Sequence, residues 1–377
     1  MQRNTLLVLF LIMLILSSLV ISAAEPEIPE DNDVLWTVVP GPFYNPNLGV
    51  GIQILPLVSY PLDRTDDISP PSVTAGFLLF AKPDWDIPEW TFIGGVGQKL
   101  YWAEDDWRAN AHIGGASVVF RQYFAGNQPG DNNQHVWAIM DGLFIGLGAK
   151  RRIWNRLYGG LNYTFEYYKV QGRDALGDAL LELIGYEPGV WQFQSMMGAE
   201  LLWDSRENQF ASTAGILGQL KFDYGAKWLG GSNDYILVNG VYSQYYSFKT
   251  EGKHVLAWAY QVKSGFGDVP LDKYNSIGGG RGASLRGYVA GEFMDKSSME
   301  LQTEYRIMFT PRIGATAFVG VGTTFGVVND FMQGPILPAG GFGFRYAMIP
   351  DRRINARLDF AWGIDSFSVY FALGEAF

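Results

Sequence analysis

Apolar and polar side chains alternate along most of the chain, which is the pattern of β-strands whose two faces meet different surroundings. The segment 297–309 shows it plainly, because Leu301 and Tyr305 fall on one face while Glu300 and Glu304 fall on the other. Most of these segments exceed the usual strand length of about 5–6 residues. Their length predicts strands that cross a membrane at a tilt.

The alternation predicts fifteen strands. A barrel that returns both ends of the chain to one side of a membrane needs an even number. We therefore expect one further strand, either within residues 34–47 or hidden in residues 48–82 by the fusion of two strands, for a total of sixteen. The fifteen segments are 48–60, 72–82, 90–102, 107–121, 136–150, 156–169, 190–203, 213–225, 234–248, 254–266, 297–309, 312–326, 338–348, 353–363 and 366–377.

The composition favours a membrane barrel. The chain contains 12 Trp, 20 Tyr and 25 Phe together with 46 Gly. In such a barrel the apolar set of each strand faces lipid and the polar set faces the lumen. A soluble β-sandwich or lipocalin-type barrel is the alternative, but it would turn its apolar face inward and would not need so many long strands. The predicted fold is all-β, a 16-stranded antiparallel transmembrane β-barrel.

Residues 1–24 have the pattern of a secretory signal peptide: an early positive charge, an uncharged apolar run and small residues before the cleavage point. A single membrane-spanning helix is the alternative, and the run is short for one. Residues 25–47 are acidic and then rich in proline and glycine, and they are too few for a domain. We expect them to form a short N-terminal periplasmic segment, and residues 48–377 to form the barrel.

Charge and residue counts exclude several classes of function. The formal net charge of −10 argues against a nucleic-acid partner. The absence of cysteine excludes disulfides and thiolate metal sites. The three histidines show no recognisable arrangement with a nucleophile. We therefore expect no enzymatic activity, no cofactor and no metal.

One long connection, residues 268–296, interrupts the strand pattern. Within it, residues 277–288 read Ile-Gly-Gly-Gly-Arg-Gly-Ala-Ser-Leu-Arg-Gly-Tyr. Glycine at this density marks backbone that turns tightly or is approached closely. The stretch lacks the Lys-Ser/Thr of a phosphate-binding loop. Since long connections of bacterial barrels face outside and short ones face the periplasm, we expect this loop at the outer end.

These residues resemble the sixth-loop signature of the BamA/TamA outer-membrane assembly superfamily, in which two glycines precede an aliphatic residue, Arg, Gly and an aromatic residue. Two further stretches are similar to that family: a strand-closing turn with Asp204 and Arg206, and the last three strands from Gly341 to Phe377. The resemblance covers residues 48–377. The matching loop residues are Gly279, Gly280, Leu285, Arg286, Gly287 and Tyr288.

The resemblance implies that the glycine-rich loop folds into the lumen and that its arginine contacts an acid on the inner wall. The family's acid lies in a Phe-x-Asp-x-Gly strand, but residues 318–322 of this chain carry Gly320 at that place. A buried Arg286 would need another partner, whereas in the alternative it faces water in a flexible loop. The candidate partners are Glu304, which is preferred, Glu300 and Asp359.

Members of this family usually carry polypeptide-transport-associated (POTRA) domains before the barrel. Residues 25–47 leave no room for one, so we expect a barrel-only member. The resemblance implies an outer-membrane protein that inserts or moves polypeptide or lipid. Its expected partners are outer-membrane lipid, a polypeptide substrate and, unless the barrel works alone, a separate periplasmic protein.

A weak seam between the first and last strands would serve that function. We expect it between residues 48–60 and 366–377, with Glu375 turned toward lipid. The alternative function is a passive porin-like channel for small solutes. The lumen charges that would set its selectivity are Arg306, Arg345, Arg357, Glu304 and Asp359.

Overall fold

The structure is a computed structural model, and it describes residues 34–45, 47–129, 135–248, 252–279, 283–326 and 328–377. Within those residues, sixteen long strands form a closed antiparallel barrel, and two short strands form a separate pair. The predicted fold class is confirmed. Residues 1–33, which include the predicted signal peptide, lie outside the described residues.

Each barrel strand pairs with its neighbours in sequence, with two exceptions. The strand His254–Gly267 pairs with Ser297–Met308, and the first strand, Leu35–Asn45, closes the barrel against the last, Ser366–Leu373. In the described residues an α-helix, α1, spans Ala175–Leu183, and short 3-10 helices occur at Lys227–Leu229, Leu271–Lys273, Val328–Gln333 and Pro350–Arg352. None of the helices in the described part of the chain is long and apolar enough to span a membrane. The strands are β1 Leu35–Asn45, β2 Gly49–Tyr60, β3 Ser72–Lys82, β4 Thr91–Trp102, β5 Trp107–Tyr123, β6 His135–Trp154, β7 Leu157–Gly172, β8 Gln192–Asp204, β9 Gly215–Gly225, β10 Tyr235–Ser247, β11 His254–Gly267, β12 Asn275–Ser276, β13 Met294–Asp295, β14 Ser297–Met308, β15 Ile313–Phe325, β16 Leu337–Ile349, β17 Ile354–Gly363 and β18 Ser366–Leu373.

The strand that the alternation missed is β1, and it lies within the first of the two predicted places. Residues 25–47 are therefore not a periplasmic segment throughout, because residues 35–45 belong to the barrel. The alternation does not reveal this strand because it contains Pro40, Gly41 and Pro42, which normally mark turns. Proline is tolerated here because β1 lies at the seam, where few ladder hydrogen bonds are required of it.

The two faces of the barrel have opposite character, as the alternation predicted. On β14, Leu301 is 43% exposed and Tyr305 is 40% exposed, whereas Glu300 and Glu304 are each 1% exposed. In a closed barrel the exposed apolar face is the outer one, which suits contact with lipid. The buried polar face therefore lines the lumen.

The connections separate into two ends. The end that holds the start of β1 and the end of β18, here called the turn end, also carries residues 61–71 and 205–214. The opposite end, here called the loop end, carries residues 268–296 and the connection with α1. Asp174 caps α1 by accepting a hydrogen bond from the backbone N–H of Gly177 at 2.8 Å.

The seam of the barrel differs from the predicted one. β18 faces β1 rather than residues 48–60, because the missed strand lies between them. Only the pair Tyr44 and Val369 is in register between β1 and β18 in the described chain, whereas β1 and β2 are in register from Leu35 to Asn45. The seam is therefore the weakest junction of the barrel wall.

The prediction that Glu375 faces lipid is wrong. Its carboxylate lies 2.6 Å from Nε of Arg345 and accepts a hydrogen bond from Nδ2 of Asn355 at 2.8 Å. β18 ends at Leu373, and Gly374 then adopts a left-handed φ of 81°. Because the strand alternation stops there, the next side chain turns to the inner face.

Candidate functional site: the glycine-rich loop on the inner wall

The glycine-rich loop, residues 268–296, forms a hairpin whose arms are joined by β12 and β13. The N–H of Ile277 donates to the carbonyl of Phe293 at 3.0 Å, and that of Gly279 donates to the carbonyl of Tyr288 at 3.3 Å. The hairpin also has an apolar core of its own. Its buried members are Ile277, Leu285, Tyr288 and Phe293, packed with Leu337 of β16.

Three described glycines of residues 277–288, Gly278, Gly279 and Gly287, have a left-handed φ, and at two of them a Cβ atom would also meet nearby backbone. Gly278 has a φ of 100°, and a Cβ atom there would lie 2.5 Å from the Tyr288 carbonyl oxygen. Gly287 has a φ of 109°, and a Cβ atom there would lie 2.8 Å from the backbone of Trp362. Both the conformation and the close approach exclude other residues. Gly280 of the motif, with Arg281 and Gly282, lies outside the described residues.

Arg286 is fully buried, with 0% of its surface exposed. Its Nη2 lies 2.5 Å from Oε2 of Glu304, and its Nη1 lies 2.8 Å from Oδ2 of Asp359. Its Nε donates to Oε1 of Gln302 at 3.2 Å. The guanidinium also stacks 3.6 Å from the ring centre of Phe318. These contacts hold the tip of the loop against β14, β15 and β17.

The third candidate acid, Glu300, has a different contact. Its carboxylate accepts from the backbone N–H of Leu285 at 2.6 Å and from the hydroxyl of Ser284 at 3.0 Å. It therefore holds the loop backbone just before Arg286 rather than the guanidinium. All three candidate acids touch the loop, in two different roles.

The partners of Arg286 belong to a larger buried network. Glu304 also lies 2.5 Å from Arg306, and Asp359 lies 2.6 Å from Arg345. Four guanidiniums thus share three carboxylates on the inner wall. The alternation of β14, β16 and β17 places Arg306, Arg345 and Arg357 inside, where the sequence predicts them as channel-lining charges, whereas it predicts Glu375 outside. The members are Arg286, Arg306, Arg345, Arg357, Glu304, Asp359 and Glu375.

Gly320, which replaces the expected acid, leaves room for the loop. A Cβ atom at Gly320 would lie 2.5 Å from Cδ1 of Leu285, and one at Gly322 would lie 2.7 Å from Cδ1 of Ile277. Because Gly320 and Gly322 have no side chains, the inner face of β15 has space for the apolar side chains of the loop. Because the neighbouring strands β14 and β17 supply the carboxylates, no acid is needed on β15 itself.

We expect Gly320→Ala to loosen the loop, because the new methyl group would also lie 2.6 Å from the Leu301 carbonyl oxygen, which cannot move aside. Overpacking of this kind costs about 1–3 kcal/mol. Hydrogen exchange of residues 283–288 measures the effect. Gly240→Ala on β10 is the matched control, since its nearest atom lies 4.0 Å away. If residues 283–288 exchange at the same rate in both variants, the space at Gly320 does not position the loop.

The loop has a second attachment on the opposite wall. Lys273 pairs with Glu166 of β7 and lies 3.3 Å from Asp272. Burial lowers the pKa of Lys273, but the two carboxylates outweigh it and raise that pKa above its ordinary value. Val269 packs against Met196 of β8. The loop therefore crosses the lumen from β7 and β8 to β14–β18.

Solved structures with the same fold are barrels from outer-membrane proteins. The chain is similar to BamA from Haemophilus ducreyi lacking POTRA domains 1–3, with 12% identity and a TM-score of 0.54 over 90% of this chain and 69% of that one. It is similar to CdiB from Acinetobacter baumannii, with 11% identity and a TM-score of 0.54 over 91% of this chain and 60% of that one. It is also similar to CdiB from Escherichia coli, with 10% identity and a TM-score of 0.57 over 92% of this chain and 63% of that one. At these identities the likeness shows the fold alone.

None of the curated protein sequences matches this chain. The model of the Omp85 superfamily domain does match, over residues 101–364, which is well over half of the chain. The match includes β14, β15 and the described loop motif, so it agrees with the resemblance to the BamA/TamA group. Together with the closed sixteen-stranded barrel, it shows that the chain belongs to the Omp85 superfamily and is a barrel of the bacterial outer membrane, of the assembly and translocation type.

Proposed function

We propose that this barrel inserts polypeptide into the bacterial outer membrane, or moves polypeptide or lipid across it, by opening the seam between β1 and β18. The observation that carries the proposal is the single register pair, Tyr44 and Val369, that joins these strands in the described chain. A freed edge presents unpaired N–H and C=O groups on which an incoming strand can form. That step needs no covalent chemistry.

The sequence of β1 supports easy separation. Pro40 and Pro42 have no N–H to donate to a ladder. Instead, Nε2 of Gln53 on β2 donates to the carbonyl oxygen of Phe371 at 2.6 Å, reaching past β1 to β18. A side-chain hydrogen bond adds only about 0.5–1.5 kcal/mol. Opening this junction therefore costs less than opening a full ladder elsewhere in the wall.

The glycine-rich loop supports the proposal because it contacts β18 from inside. The backbone N–H of Gly287 donates to the hydroxyl of Tyr370 at 3.1 Å, and that hydroxyl lies 3.4 Å from the carbonyl oxygen of Tyr288. With Arg286 anchored beside it, the loop would hold β18 in place while β1 moves away. This gives the seam one fixed edge and one mobile edge.

The partners in this proposal are outer-membrane lipid, an unfolded polypeptide and a separate periplasmic protein that delivers it. Exposed apolar residues on the outer face, such as Leu301 and Tyr305, suit lipid. A passive channel is less well supported, because the glycine-rich loop crosses the lumen. Planar-bilayer recordings test that alternative, since a porin would show large and stable open channels.

We expect a disulfide across the seam to abolish activity. The variant Tyr44→Cys/Val369→Cys places thiols at the register pair, and the chain has no other cysteine. In liposomes that contain the oxidised variant, an unfolded outer-membrane barrel protein added from outside should stay unfolded and protease-sensitive. Reduction should restore its insertion. The expected loss is at least tenfold in insertion rate, because a disulfide prevents the strands from parting.

A second disulfide serves as the control. Tyr242→Cys/Tyr260→Cys bridges β10 and β11 at another register pair, far from the seam. This variant should retain activity in its oxidised form. If the seam disulfide forms fully and insertion continues unchanged, the proposed lateral opening is wrong.

A further inference from the structure

The connection between β8 and β9, residues 205–214, reaches across the turn end to the seam. β8 and β9 lie halfway around the barrel from β1 and β18. The connection, here called the crossing loop, follows Asp204, the last residue of β8, whose carboxylate lies 2.9 Å from Arg108 and 2.9 Å from Arg206. From this fixed base it contacts strands on both sides of the seam.

Phe210 makes the central contact of the crossing loop. It packs against an apolar cluster that joins the two sides of the seam. Leu57 of β2 and Val73 of β3 lie on one side, and Ile354 of β17 and Leu373 of β18 lie on the other. A ring placed among these residues loses apolar contact if the two sides separate.

Polar contacts of the crossing loop also reach both sides. On the side of β1–β4, Nε2 of Gln209 donates to the carbonyl of Pro71 at 3.1 Å, and the hydroxyl of Tyr101 donates to Oε1 of Gln209 at 2.9 Å. On the side of β16–β18, Nδ2 of Asn208 donates to the carbonyl of Arg352 at 3.2 Å. There the N–H of Glu375 also donates to the carbonyl of Phe210 at 2.9 Å.

The crossing loop is braced internally, so it can hold these two sides at a set distance. Oδ1 of Asn208 accepts from the N–H groups of Phe210 at 2.8 Å and Ala211 at 2.9 Å. The carboxylate of Glu207 accepts from the N–H groups of Thr213 at 2.6 Å and Ala214 at 3.1 Å. Side-chain bonds of this kind fix a tight loop conformation.

We propose that the crossing loop is a clasp that holds the β1–β18 seam closed from inside. In this proposal the Phe210 ring must leave its apolar site between the two sides before the strands part. The inference rests on the proposed opening of the seam. With one register pair between β1 and β18, the contacts of Phe210, Gln209 and Asn208 supply closure that the ladder does not. The clasp adds a control point at the turn end, opposite the end where the glycine-rich loop begins.

The test measures seam opening directly, without a substrate. Hydrogen exchange of residues 35–45 is followed by mass spectrometry on the folded barrel in lipid nanodiscs. Phe210→Ala should accelerate that exchange by at least about tenfold, because removal of the ring lowers the cost of local opening. Phe124→Ala is the matched control: it truncates another partly buried ring, packed near Val136 and far from the seam. Its exchange in residues 35–45 should equal that of the unmodified protein.

A second variant keeps the test decisive if Phe210→Ala fails to fold. Asn208→Ala removes the bond to Arg352 and the two internal braces but leaves the apolar cluster intact, so it should accelerate exchange by a smaller factor. If residues 35–45 exchange at the same rate in Phe124→Ala as in a folded clasp variant, Phe210→Ala or Asn208→Ala, the proposed clasp is wrong. This outcome is distinct from failure of the proposed function, which appears as continued insertion with the seam disulfide closed.

Discussion

Replacing Arg286 by alanine is expected to detach the tip of the glycine-rich loop from the inner wall. The guanidinium is fully buried and contacts Glu304, Asp359 and Gln302, so its removal leaves polar partners without their donor. Breaking a buried ion pair by removing one partner costs about 3–5 kcal/mol. Residues 283–288 should then exchange their amide hydrogens on the time scale of a free loop, while the barrel strands keep their protection.

The control for this prediction removes an exposed arginine. Arg173 lies 3.3 Å from Glu89, and the two side chains are 34% and 36% exposed. A surface pair of this kind contributes about 0–1 kcal/mol. Arg173→Ala should therefore leave exchange of the glycine-rich loop unchanged. Protection of residues 283–288 that survives Arg286→Ala would mean that the apolar core of the hairpin, rather than the arginine, holds the loop.

Reversing the charge of Glu304 is expected to have the largest effect on the barrel. In Glu304→Lys a cation would lie within contact distance of Arg286 and Arg306, which are each 2.5 Å from the carboxylate now. Five cations would then share two carboxylates in a buried site. The cost should exceed about 5 kcal/mol, the upper value for one broken buried pair. We expect the variant to lose the heat-dependent gel shift of a folded barrel.

Two further variants separate charge from shape at the same position. Glu304→Gln keeps an acceptor of the same size and should fold, with its loop less protected than in the unmodified protein. Glu187→Lys makes the same charge change at an exposed loop residue and should have no effect on folding. If the Glu304→Lys barrel folds and its loop stays protected from exchange, Glu304 is not needed to hold Arg286. Asp359 would then be a sufficient acidic partner for that guanidinium.

At Arg286 the sequence determines which side chains face inward, and the tertiary structure determines which of them meet. The alternation of β14 and β17 correctly placed Glu304 and Asp359 on the inner face, and the motif marked the arginine. Which acids meet it depends on the stagger of β14, β15 and β17, which are brought together only when the barrel closes. The same stagger explains why Gly320 is tolerated: its place is filled by Leu285.

The seam partner of β18 and the orientation of Glu375 were predicted incorrectly, because strand alternation does not show which strand closes the barrel or where the last strand ends. Pro40 and Pro42 signal a turn in most contexts, and only their place at the weakly paired β1–β18 junction makes them acceptable in a strand. Glu375 continues the alternation of β18 in sequence, but Gly374 ends the strand and turns the chain inward. Strand alternation alone does not reveal where β18 ends or which strand closes the barrel against it.

By itself, the sequence determined the class of this protein, fifteen of its barrel strands, their lipid and lumen faces, and the loop that carries the arginine. It could do so because strand alternation and glycine-rich turns depend on neighbours in the chain. Only the tertiary structure decided the true seam, the shared network around Arg286 and the reach of Phe210 across the lumen to Leu57 and Ile354. These features join residues far apart in sequence, and closure of the barrel is the physical event that brings them into contact.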